Sequence, residues 1–219
     1  MMAPAAKTVR SPRSVPDRAG DPLRSFSTMS FFDVPAPPPE PLPPERPRPP
    51  WLSSRRGVLP GYSPQRATVF TTDRAVLFVD RFRLYPTGIM FSLNLLLRER
   101  TEDPSGWPWQ FHSGRRPDPL PDDFLRFGVL FGDGSKWTNL DVGRPDPGKK
   151  PDGPFVMEQG GGGGGDWWDQ DYWMWPLPSE GPLTFVASWP AYGVGESSAE
   201  VDGTELRRCA EAAETIWPS

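Results

Sequence analysis

AVLFVDRFRLYPTGIMFSLNLLLR, residues 75–98, is two runs of β-branched, aromatic and aliphatic residues separated by Pro86, Thr87 and Gly88. Those three residues supply turn chemistry. After the turn, Ile89, Phe91, Leu93, Leu95 and Leu97 share one side, with Ser92, Asn94 and Arg98 opposite. Alternation of this kind marks a strand with one buried and one wetter face. Before the turn, the pattern predicts Val76, Phe78, Phe82 and Leu84 on one face of a strand over Ala75–Leu84. The pair reads as an antiparallel hairpin.

The chain on either side repeats the same grammar. Leu125, Phe127, Val129 and Phe131 share one face of a further strand, which turns at residues 132–135 and returns through residues 136–140. Asp133-Gly134 between two such runs is a strong hairpin signal. Phe155, Val156 and Met157 open another strand, and Leu183, Phe185, Ala187 and Trp189 alternate with Thr184, Val186 and Ser188 up to Pro190. Residues 197–201 make a last short strand. Thr204 is then positioned to cap a helix of about thirteen residues, with Leu206, Cys209, Ala210, Ala213, Ile216 and Trp217 as the stripe that docks on the sheet. Some seven or eight strands in hairpin order predict an all-β fold. The expected architecture is an antiparallel β-sandwich or open barrel with one C-terminal α-helix. The lack of crossover helices argues against a parallel sheet, and the lack of a fixed period argues against a propeller or solenoid.

Proline sets the domain boundary. Of the 31 prolines, ten fall in the sixteen positions from Pro35 to Pro50. A run with fixed φ and no amide hydrogens reads as an extended polyproline spacer, within which Pro38–Pro41 has the form of a peptide that docks on aromatic grooves. Residues 1–56 are therefore expected to be a disordered Pro/Arg-rich segment, and residues 57–219 a single β-sandwich domain. Residues 1–28 read as an extension upstream of a start at Met29. The segment 1–56 carries nine basic and five acidic residues, leaving the remainder with fifteen against twenty-three. An acidic domain argues against a nucleic-acid partner, which needs clustered Lys and Arg. No apolar run reaches the roughly 18 residues of a membrane span. One cysteine excludes an internal disulfide framework, so the chain reads as cytoplasmic with no membrane partner.

Residues 160–175, GGGGGGDWWDQDYWMW, hold the candidate surface. Six glycines precede five aromatics and three aspartates. The glycines trivially match a dinucleotide loop, but no helix pattern follows them and Asp166 would repel phosphate, so no nucleotide cofactor is expected. No zinc set can be built from one His and one Cys, and the aspartate spacing matches no EF-hand, so no metal ligand is assigned. His112 lies in a long loop with Trp107 and Trp109, without a nucleophile elbow, and reads as a solvated residue. Cys209 reads as a small hydrophobe on the helix stripe. No catalytic residue is assigned.

What remains is a ligand or partner surface: Asp166, Trp167, Trp168, Asp169, Asp171, Trp173 and Trp175. On a strand, Trp173 and Trp175 share a face with Asp171, while Tyr172 and Met174 take the other. Large side chains on both faces mean either burial on both sides or an exposed aromatic patch. Three functions fit. The first is a non-enzymatic binding module that takes a protein or small ligand through the aromatic strand and a glycine-rich loop. The second is a carbohydrate-binding module using Trp167, Trp168 and Asp169, and the third an enzyme built on carboxylates alone.

MSFFDVP at residues 29–35, YPTG at 85–88, FGDGSKWTNL at 131–140 and WMWPLPSEGPLTFVASWP at 173–190 resemble a group of uncharacterised proteins from high-GC actinobacteria. The resemblance spans most of residues 29–218. It supports a start at Met29 and makes the glycine and tryptophan segment a family feature. It implies no activity, cofactor or catalytic residue.

Overall fold

The computed structural model describes residues 48–53, 57–101, 108, 118–140 and 146–217. The expectations for residues 1–28, for the proline run as far as Pro47, and for Trp107, Trp109 and His112 lie outside the described residues. In chain order the elements are β1 (Val58–Leu59), β2 (Gly61–Ser63), β3 (Ala67–Thr71), β4 (Ala75–Tyr85), β5 (Gly88–Leu97), β6 (Arg126–Leu130) and β7 (Lys136–Thr138). There follow β8 (Phe155–Gly163), β9 (Trp167–Trp175), β10 (Pro182–Trp189), a 3₁₀ turn at Pro190–Tyr192, β11 (Val194–Asp202), α1 (Gly203–Glu211) and β12 (Glu214–Thr215). The fold is all-β and antiparallel, and its sheets are not closed into a barrel. No helix among the described residues is long and apolar enough to cross a membrane.

The large sheet runs β2-β4-β5-β9-β8, with β3 also paired to β4; the smaller runs β11-β10-β6-β7. Their inner faces meet in an aromatic core. Phe185 of the small sheet packs on Phe82 and Phe91 of the large one, and Phe127 and Trp137 pack on Tyr172. As expected from the alternation, Ile89, Phe91, Leu93 and Leu95 are fully buried, with Leu125, Phe127, Val129, Leu183, Phe185 and Trp189 facing them. On one flank the sandwich is tied by Ser197 Oγ, which donates to Val69 O at 2.6 Å.

The first hairpin departs from its predicted phase. Asp80 pairs with Ser92 and Arg83 with Met90, so Arg81 and Phe82 together oppose Phe91. This is a β-bulge, and Arg81 takes φ of 55°, a conformation that costs any residue with a Cβ. The extra residue reverses the alternation. Ala75, Leu77 and Val79 before the bulge face the core, as do Phe82 and Leu84 after it. Val76 and Phe78 instead face outward and are half-buried, correcting the expectation that they share a face with Phe82 and Leu84.

Three further expectations are corrected. The helix is capped by Asp202, whose carboxylate accepts from the backbone N–H of Thr204 at 2.9 Å and of Glu205 at 3.4 Å. Thr204 Oγ1 accepts from Gly181 N instead. The helix also stops at Glu211 rather than running on, because the chain turns to pair β12 with β1. Leu206 and Ala210 are buried, while Ile216 and Trp217 lie beyond the helix and are exposed. The glycine run is not a loop. Gly160–Gly163 are strand residues of β8 paired along β9, and only Gly164, Gly165 and Asp166 form the connection.

Candidate functional site

β9 lies between β5 and the edge strand β8 of the large sheet, and its period of two splits its side chains between core and exterior. Trp168, Gln170, Tyr172 and Met174 point inward and are buried. Trp167, Asp169, Asp171, Trp173 and Trp175 point outward. The register carries this outer row across the sheet: Leu96 sits beside Trp167, Asn94 beside Asp169, Ser92 beside Asp171, and Met90 beside Trp173. On the edge strand, Gly162 and Gly160 lie beside Asp169 and Asp171, and Met157 beside Trp173. The outer face is thus apolar at both ends with a polar belt between.

The belt is charge-balanced and internally bonded. Arg81 Nη2 donates to Asn94 Oδ1 at 2.9 Å and to Asp169 Oδ2 at 3.0 Å. Asn94 Nδ2 donates to Asp80 Oδ1 at 2.9 Å, and Arg66 lies within 3.8 Å of the same carboxylate. One row along, Asp171 accepts from Arg83 and from the Ser92 hydroxyl. Three arginines therefore face three aspartates, and each carboxylate already serves as an acceptor. Among the described residues, no three His, Cys, Asp or Glu side chains converge as a metal would need.

At its open end the face holds a shallow depression of about 320 Å³, lined by the apolar Phe78, Leu96 and Trp167 and the polar Asp80, Arg81, Asn94 and Asp169. Trp167 and Leu96 are 48% and 47% exposed, side by side. The bulge contributes to this corner, since its extra residue Arg81 bonds Asn94 and Asp169 on the outer face. At the opposite end, Trp173 points outward but is completely buried. Its indole N–H donates to Pro50 O at 3.2 Å. Trp51 meets Trp175 edge-on at 6.2 Å, and the Lys150 ammonium stands 5.4 Å from the Trp175 ring centre.

The seven residues singled out in the sequence thus separate. Trp167, Asp169 and Asp171 share the open face. Trp168 is a core residue, so it cannot stack on a ligand beside Trp167. Trp173 and Trp175 are covered, and Asp166 sits in the β8–β9 turn, where its carbonyl accepts from Leu97 N at 2.7 Å. Sequence reasoning missed Phe78, Asp80, Arg81, Asn94 and Leu96 as members of the site. One signal was available: Leu96 is an apolar residue that follows Ser92 and Asn94 on the outer side of β5. Cys209 is half-buried, and burial followed by the neighbouring Glu205 pushes its thiol up, away from the thiolate a nucleophile requires.

No protein-family model, no curated protein and no solved structure matches the chain.

Proposed function

We propose that the chain is a non-enzymatic recognition module whose contact surface is the open end of the large sheet's outer face. One observation carries the reading: Trp167 and Leu96, large apolar side chains in adjacent strands, are each about half exposed beside four polar side chains fixed by mutual hydrogen bonds. Exposed apolar surface rimmed by preorganised polar groups is the composition of a binding site. The volume lies at the low end for ligand sites, suiting one ring-sized group. The belt's balanced charge favours a neutral ligand. A sugar ring meets both conditions, with its C–H face on the Trp167 indole and its hydroxyls on Asp80, Asn94 and Asp169.

A protein ligand is the second reading, favoured by β8. Gly160–Gly163 leave a side-chain-free sheet edge next to the depression, and an extended peptide adds to such an edge by main-chain hydrogen bonds. The acidic domain and lone free thiol support a cytoplasmic module that does not bind nucleic acid. Tryptophan fluorescence titrated with a panel of mono- and oligosaccharides tests the sugar reading. A saturable change lost in Trp167→Ala supports it; no change across the panel rejects it. Capture from lysate with the intact chain and with Trp167→Ala then tests the protein reading, which identical captures would refute.

A further inference from the structure

Trp173 presents a contradiction that its surroundings resolve. It is on the outer side of the sheet, which it shares with Trp167, Asp169, Asp171 and Trp175, yet it alone of these is completely buried. Its cover is not another strand but the end of the proline-rich run. Pro49, Pro50, Trp51 and Leu52 form a tight turn closed by Leu52 N donating to Pro49 O at 3.0 Å. The turn sits on an aromatic cleft made by Trp173, Tyr85 and Trp175. Tyr85 packs edge-on to Trp173 at 5.6 Å, and Trp51 packs edge-on to Trp175. The polar contacts are an indole N–H to the Pro50 carbonyl and the Gln159 side chain to the Leu52 carbonyl at 3.5 Å.

These are the elements by which aromatic grooves take proline-rich peptides. Flat rings receive the pyrrolidine faces, and an indole N–H captures a carbonyl that no neighbouring amide can satisfy. We propose that the Tyr85–Trp173–Trp175 cleft is a recognition site for a Pro-Pro-Trp turn, filled in this chain by its own residues 49–52 and open to a proline-rich peptide of the same chemistry when that segment is displaced. The internal occupant fits imperfectly. Trp51 Nε1 is buried with no hydrogen-bond partner among the described residues, a loss that a competing peptide need not suffer. The occupant is also held from outside the sheet: among the described residues, its backbone makes no ladder of hydrogen bonds to a strand. The inference is independent of the Trp167 reading, which concerns the other end of the face.

The test uses the full chain and a fluorescent peptide with the sequence of residues 46–53, RPRPPWLS, read by polarisation. Tethering makes the internal segment a strong competitor, so the intact chain should bind the peptide weakly. Trp51→Ala removes the edge contact on Trp175 and should tighten peptide binding at least ten-fold. Pro50→Gly loosens the same turn by another route and guards against misfolding of the first variant. Trp51→Ala combined with Trp175→Ala should lose the gain, and a scrambled peptide should bind none of the chains. Equal affinity for the intact chain and both single variants, or equal binding of the scrambled peptide, would overturn the proposal and leave the turn as fixed packing.

Discussion

Arg81 carries two opposed demands. Its backbone is left-handed, a state glycine adopts freely and other residues reach at a cost of about 1–3 kcal/mol. Its side chain bonds Asn94 and Asp169, but it is half exposed, and an exposed ion pair returns only about 0–1 kcal/mol. The residue therefore costs stability to hold a guanidinium at the depression. Arg81→Ala keeps the backbone cost and loses the contacts, whereas Arg81→Gly loses the contacts and removes the cost. Arg81→Gly is expected to be more stable than Arg81→Ala by about 1 kcal/mol in urea unfolding, with both deficient in any Trp167-dependent binding. Equal stability of the two variants would mean that the bulge is not strained.

Within the β8–β9 hairpin, glycine is needed at some positions and not at others. A Cβ on Gly160 would meet nothing within 4 Å, whereas one on Gly163, where φ is 150°, would lie 2.5 Å from Trp167 O and 2.7 Å from Trp168 Cα. Gly160→Ala is expected to stabilise by about 0.4–1 kcal/mol through the unfolded chain. Gly163→Ala should destabilise by about 1–3 kcal/mol. Chemical denaturation of both variants checks this, and a destabilised Gly160→Ala would show that the bare edge is structurally required. The same hairpin shows how far sequence reached. Period-two alternation placed Tyr172 opposite Trp173 and aligned all of β5, because burial of one face leaves a direct imprint on the residues. It misphased β4, since a one-residue bulge at an arginine leaves no such imprint. It also left open whether the Trp173 face was core or surface. That answer depends on residues 49–52, more than a hundred positions away, which composition alone assigned to a spacer. The glycines were misread because glycine-rich sequence carries no periodicity, and their strand is imposed by pairing with β9.

For the molecule as a whole, the centre of the sandwich holds one ionisable group among the described residues. Tyr172 stacks on Phe91 at 5.5 Å and meets Phe127 and Trp137 across the sheets, and its hydroxyl has no hydrogen-bond partner among the described residues. Burial first, and the charge of Glu158 second, hold this phenol well above its ordinary range. The unfolded chain releases its proton near pH 10 while the folded chain retains it, so above that pH the folded state binds more protons and stability falls as pH rises. Below pH 10 both states are neutral and the term is flat. Tyr172→Phe removes both an unsatisfied buried hydroxyl and the titration. It should raise stability by about 1 kcal/mol at neutral pH. The variant's advantage should then widen by as much as about 1.4 kcal/mol per pH unit between pH 10 and 11. Urea unfolding of the two chains at pH 7, 10 and 11 measures the difference; parallel losses would mean that the phenol ionises in the folded sandwich.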